Sequence, residues 1–184
     1  MPNKGPTESN LSERWNRLLQ EVDAQLSQPV FLHCLGGFVL LVAHGLPRPT
    51  GDLDFISVVP KEAASTLEDI AGAESKLAKR FGLHLQYVTI ADYPEGYEDR
   101  LTEVLPGSFN HLKLFALEVH DLVLAKLVRN SPIDIEDVKY LASIGRLNPV
   151  TLGERYQREL RPYLSNEGRH DLTLKLWLEA CFQS

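Results

Sequence analysis

Between Gly36 and Val59 the chain reads GGFVLLVAHGLPRPTGDLDFISVV, and no other stretch restricts the possible folds as much. It is preceded by VFLHCL, a short apolar run that reads as a buried strand. Gly36-Gly37 then turns the chain into a brief helix ending near Gly45, and a loop stiffened by Pro47 and Pro49 leads to a second strand, DLDFISVV. That strand begins on two carboxylates spaced by one residue. Alternate residues of a strand share a face, so Asp52 and Asp54 point the same way, with Cα atoms about 7 Å apart. Without a cation, such a pair repels.

A hard divalent cation suits the pair. Mg2+ prefers oxygen donors and often takes only one or two carboxylates plus substrate phosphates, with Mn2+ as the alternative. The glycines supply the complementary half: converging backbone N–H groups and a helix N-terminus together make an anion cradle. Arg48 is a candidate phosphate clamp, and Thr50 a candidate to bond a phosphate or orient a metal-bound water. Taken singly, a Gly-Gly after a strand is more often a tight turn, and an Asp pair at a strand start is often a solvated edge. Their joint occurrence in strand–turn–helix–loop–strand order is what favours function.

The flanking segments predict an α+β fold. An N-terminal helix over residues 10–27 is expected, with Asn10 and Glu13 as a capping box and Trp15, Leu18, Leu19 and Val22 on one apolar face. Pro60 is expected to start a helix that runs to about Phe81, with Gly82 as its stop. LHLQYVTI alternates like a third strand, and HLKLFAL is a candidate fourth. After Glu118 the pattern becomes helical: VHDLVLAKLVRN, DIEDVKYLASIG, a segment from Thr151 with Thr151 and Glu154 as a capping box, and RHDLTLKLWLEACF. The expected layout is a small mixed-sheet core over residues 1–118, followed by a helical bundle over residues 119–184 packed on it.

Composition removes several classes of function. A net charge of −6 leaves no excess of Lys and Arg for a broad nucleic-acid surface, although a local basic cleft fits. Cys34 and Cys181 have no metal-ligand spacing, and Cys34 reads as a buried, reduced thiol. The six histidines are scattered, which argues against zinc. Trp15, Phe81, Tyr140 and Trp177 sit on apolar helical faces and read as core. The start of the chain lacks an apolar signal segment, and the run from Phe38 to Ala43 is too short for a bilayer, so the expectation is a cytoplasmic protein with no membrane partner.

At the Gly-Gly and Asp-x-Asp residues the chain resembles the minimal nucleotidyltransferase fold of the polymerase-beta superfamily. The form GG…HG…R-x-T-x-D-x-D looks most like stand-alone bacterial proteins related to abortive-infection nucleotidyltransferase toxins. Downstream, DLVLAKLVRNSPIDIEDVKYL is similar to that group's Lys-containing helix followed by an Asp-x-x-Asp segment. The resemblance implies that Gly36 and Gly37 meet the nucleotide phosphates and that Asp52 and Asp54 hold Mg2+. It places Lys126 at a phosphate-contacting lysine and Asp134 and Asp137 at downstream acidic positions. Lys126 and Arg129, three apart on one helix, would serve one anion together. Asp134 and Asp137 also read as helix N-terminal charges favoured by the macrodipole.

One departure stands out. The family usually carries a third carboxylate on the next strand, yet LHLQYVTI has no acid, and Gln86 is the expected occupant. An amide can ligate Mg2+ but cannot accept a proton from a hydroxyl. The resemblance thus implies a Mg2+-dependent transfer of a nucleoside monophosphate from an NTP to an RNA, protein or small-molecule hydroxyl, with an antitoxin-like protein as a partner. A non-catalytic nucleotide-binding or regulatory module is the alternative. A glycosyltransferase holding a sugar nucleotide by Asp-x-Asp is disfavoured by the short chain.

Overall fold

The computed structural model describes residues 11–182. These form an α+β protein in two compact units, residues 11–89 with Leu101–Ala116, and Ile90–Arg100 with residues 117–182. Asn10, expected to cap the first helix, lies outside the described residues. Helix α1 (Glu13–Asp23) has Ser12 as its N-cap, its hydroxyl accepting the Trp15 N–H at 3.3 Å. The periodic face is fully used, since Trp15, Leu18, Leu19 and Val22 are all buried. At its C-terminal end the buried Asp23 carboxylate accepts the backbone N–H groups of Asn110, His111 and Leu112 at 3.0, 2.7 and 2.7 Å. Burial opposes the charge, but these donors outweigh it and hold the carboxyl below its ordinary range.

The sheet of the first unit has five strands: β1 (Val30–Leu35), β2 (Asp52–Val59), β3 (His84–Tyr87), β4 (Thr102–Val104) and β5 (Leu112–Ala116). Their order is β3-β2-β1-β5-β4. β1 runs antiparallel to β2 and parallel to β5, while β2 and β3 are parallel and β4 and β5 antiparallel. Leu32, Cys34, Leu53, Phe55, Leu85, Leu112 and Leu114 line the buried face, and the Cys34 thiol is free and fully buried. The opposite face carries His33, Asp52, Asp54, His84, Gln86, Lys113 and Phe115 at intermediate or full exposure. β4 went unread in the sequence, because three residues with two exposed give no period to detect.

Helix α2 (Gly36–His44) follows β1 directly and ends at Gly45 in the left-handed conformation, as its sequence predicts. The long helix expected after Pro60 is two helices, α3 (Ala63–Ala71) and α4 (Lys76–Phe81). The Val59-Pro60 bond is cis, Gly72 leaves α3 in an extended conformation, and Ser75 caps α4 by accepting the Ala78 N–H at 3.0 Å. Gly82 stops α4 at φ +61°.

The second unit holds α5 (Val119–Arg129), α6 (Pro132–Ser143), α7 (Pro149–Arg155) and α8 (Glu167–Phe182). Between α7 and α8 lie a π-helical turn, Tyr156–Leu160, and a short 3-10 turn, Arg161–Tyr163. The Thr151–Glu154 capping box does not form. Asn148 caps α7 three residues earlier, its side-chain oxygen accepting the N–H groups of Val150 and Thr151 at 2.9 and 3.1 Å, with Pro149 at the first helical position. Residues 90–100, read from the sequence with the first part, belong to this unit. Trp15, Phe81 and Trp177 are core as expected, whereas Tyr140 is only half-buried. No helix among the described residues is long and apolar enough to cross a membrane.

Candidate functional site

The antiparallel pairing of β1 and β2 brings the end of one strand beside the start of the other. Leu35 pairs with Asp54, so the first residue of α2, Gly36, lies against the Asp54 side chain. A Cβ on Gly36 would stand 2.7 Å from Asp54 Oδ2, and the residue adopts φ +79°, so both space and backbone demand glycine here. A Cβ on Gly37 would meet Thr50 Oγ1 at 3.0 Å and Arg48 Nη2 at 3.6 Å. The Gly-Gly turn, the proline-stiffened loop and the Asp-x-Asp strand therefore form one cluster, within a single unit of the fold.

Hydrogen bonds hold the cluster in place. Thr50 donates its hydroxyl to Asp52 Oδ1 at 3.0 Å, and its backbone carbonyl accepts the Trp15 indole N–H at 3.3 Å. Trp15 is itself fixed against Phe38 of α2, with ring centroids 4.9 Å apart in an edge-on arrangement. No side chain caps α2, and the N–H groups of its first turn have no intrahelical acceptor.

The parallel β2–β3 register pairs Asp52 with His84 and Asp54 with Gln86. Paired residues of adjacent strands share a face, so Gln86 lies on the side of the sheet that carries both aspartates. Among the described residues no three His, Cys, Asp or Glu side chains cluster in a way that would hold a metal by themselves. The donor set is thus two carboxylates beside a cradle that a Cβ would fill. That chemistry fits Mg2+, which completes its shell with phosphate oxygens and water, and does not fit a closed, all-protein metal cage.

Lys126, Arg129, Asp134 and Asp137 form a second cluster, in the helical unit. Lys126 is 4% exposed and donates to Asp134 Oδ1 at 3.1 Å and Asp137 Oδ2 at 2.8 Å. Arg129 donates to both oxygens of the same Asp134 carboxylate, at 3.0 and 2.5 Å. The two cations do serve one anion together, and in this structure that anion is Asp134. Asp134 also closes a capping box on α6 through Ser131, whose N–H and hydroxyl donate to it at 2.9 and 2.7 Å. Burial pushes its carboxyl up, but these partners more than reverse that and hold it far below the usual range.

The same unit contains a network that the sequence reading did not assign. Asp121 is fully buried and receives Arg100 Nε at 2.8 Å and Arg155 Nη1 at 3.0 Å. Glu118 receives Arg155 as well as His120 Nδ1 at 2.9 Å. His120 Nε2 accepts the Asn148 N–H at 2.9 Å, so Nδ1 is the nitrogen that donates to Glu118. Burial alone would raise the Glu118 carboxyl, yet the bonds from His120 and Arg155 bring it down to about 2. One signal was available in the sequence: Asp121 directly precedes the apolar run Leu122–Ala125, where a charge needs a partner.

A family model described as "Nucleotidyltransferase of unknown function (DUF6036)" matches residues 9–179. No curated protein matches the sequence. Among solved structures, the fold is similar to one described as "putative nucleotidyltransferase from H. pylori", at 16% identity and a TM-score of 0.35, over 93% of this chain and 96% of the other.

Proposed function

The chain belongs to the family of nucleotidyltransferases of unknown function whose model spans residues 9–179, and from that membership we propose a Mg2+-dependent transfer of a nucleoside monophosphate from an NTP to an acceptor hydroxyl. The observation that carries the reading is the approach of the Gly36 backbone to Asp54, with Gly37 against Thr50 and Arg48. In this reading the first turn of α2 and Arg48 bind the phosphates, Thr50 orients Asp52, and Asp52 and Asp54 would hold the metal. A bound Mg2+ would supply charge stabilisation at the phosphoryl oxygens. The acceptor oxygen attacks the α-phosphorus, the new P–O bond forms as the α–β phosphoanhydride bond breaks, pyrophosphate departs, and the hydroxyl proton passes to solvent. Positioning of the two reactants carries most of the acceleration in such a transfer.

Lys126, Arg129 and Asp134 enter this reading through the resemblance alone, which gives Lys126 to a phosphate. Its ammonium already bonds two carboxylates. From the same resemblance comes the biological setting, a toxin of a toxin–antitoxin or phage-defence system neutralised by an antitoxin-like protein.

Gln86 supports a second reading, a nucleotide-binding module without turnover, because its amide stands in register with Asp54 and cannot take a proton. Incubation of the protein with labelled NTPs, Mg2+ and cell extract tests the transferase. Label appearing in a macromolecule or metabolite, and lost in Asp52→Asn/Asp54→Asn, is the expected result. Binding without transfer, with transfer gained in Gln86→Asp, would assign the protein to the second reading.

A further inference from the structure

An open cavity of about 310 Å3 lies on the helical unit, lined by none of the residues assigned above, and its lining has a distinctive chemistry. Tyr93, Tyr97 and Tyr163 line it together with Pro94, Glu95, Gly96 and Glu98, and among the described residues no Lys, Arg or His contributes to the lining. Tyr93 and Tyr97 pack edge to face, with ring centroids 4.8 Å apart and planes at 73°, which fixes two aromatic walls nearly perpendicular to each other. Tyr163 is 62% exposed and donates its hydroxyl to Glu95, which holds that ring over the same cavity.

The segment is preorganised although it is mostly irregular. Arg100 anchors one end through Asp121 at 2.8 and 3.1 Å and Glu159 at 2.6 Å, and the Glu95 N–H donates to the Glu159 carbonyl at 2.8 Å. Arg100 reaches the Glu95 carbonyl at 3.4 Å, and the two carboxylates take its Nε and Nη2. The lining therefore keeps an uncompensated negative character from Glu95 and Glu98. A neutral apolar ligand would gain only contact with the rings, and an anion would be repelled. An alkylammonium group gains both the ring faces and the carboxylates.

We propose that the cavity walled by Tyr93, Tyr97 and Tyr163 binds an alkylammonium group, from a free organic amine or from a lysine side chain of another protein. This site is independent of the nucleotidyltransferase reading and stands or falls without it.

The full-length protein is titrated with choline, with 3,3-dimethylbutanol as its uncharged isostere, and with a short peptide bearing trimethyllysine, while the tyrosine ring protons are followed by NMR. Choline or the peptide should shift Tyr93, Tyr97 and Tyr163 resonances, with the alcohol silent at the same concentration. Tyr163→Leu and Glu98→Gln, both at exposed positions, should each weaken that binding about fivefold, the loss expected for one cation–π or charge contact. The tighter of the two charged probes identifies the source, free amine or protein side chain. Equal shifts with the alcohol would reduce the cavity to an apolar dent and overturn the proposal. Silence of both ammonium probes into the tens of millimolar range, roughly the weakest affinity a specific contact of this size gives, would overturn it too.

Discussion

In the helical unit Asp121, Asp134 and Asp137 are at most 1% exposed, and each receives a Lys or Arg side chain. In the sheet unit Asp52 and Asp54 stand half-buried at a strand mouth, and the Asp52 carboxylate accepts from a hydroxyl, that of Thr50. The residue type is the same and the environments differ in kind. A carboxylate can be buried when its counter-cation is encoded nearby in the chain, and removing that cation then leaves an uncompensated charge in low dielectric. At the strand mouth two half-buried carboxylates stand beside a pair of glycines, Thr50 and Arg48. The contrast separates acids that hold the fold from acids that, in the proposed reading, hold the substrate's metal.

The largest effect is expected from Lys126→Met. It should cost about 3–5 kcal/mol in chemical denaturation, because Asp137 and half of Asp134 lose a buried partner. Adding Asp137→Asn should recover part of the loss, a coupling that a double-mutant cycle would read. If calorimetry found lower triphosphate affinity with stability intact, Lys126 would belong with the substrate-facing group and the contrast would break there. In the sheet unit, Asp54→Asn should lower Mg2+-dependent NTP affinity at least about tenfold. Its stability should fall less than that of Lys126→Met, since the Asp54 side chain is only half-buried.

Acid should act on the helical unit through Glu118. Its carboxyl is depressed in the folded protein to about 2 from an ordinary 4.5, so its bonds to Arg155 and His120 stabilise fully above pH 4.5. That contribution is lost as pH falls from 4.5 toward 2. In Glu118→Gln the stability at neutral pH should drop by about 2 kcal/mol and its slope across that window should flatten, as urea titrations at several pH values would show. The smallest effect is expected from Gly37→Val, about 1 kcal/mol in triphosphate affinity with little change for the nucleoside. Equal losses for both ligands would make Gly37 a packing glycine.

Much of the sheet unit was legible because its signals are local. VFLHCL, Gly36-Gly37 and DLDFISVV each announce an element by period or by turn residue, and their sequence order brings them together. The split of α3 from α4 was missed because Gly72 sits inside a helical pattern that tolerates a single glycine on paper, and Ser75 is only recognisable as a cap once the chain has turned. Similarly, Thr151 met the capping pattern, but Asn148 followed by Pro149 met it better and earlier. The meaning of Lys126 and Arg129 was half legible. Their spacing told that they share an anion, while the identity of that anion depends on the turn at Asn130, which sets α6 against α5 and cannot be read from either helix alone.

The excursion of residues 90–100 makes the helical unit discontinuous in sequence, so the polypeptide crosses between the two units three times. A fragment begun at residue 117 would therefore lack Arg100, and the buried Asp121 would keep only Arg155 of its two cations. The halves of this molecule are accordingly not interchangeable parts. Any recombination that swapped the helical portion between relatives at a single junction would leave its anchor behind, so two distant stretches of chain must be inherited together.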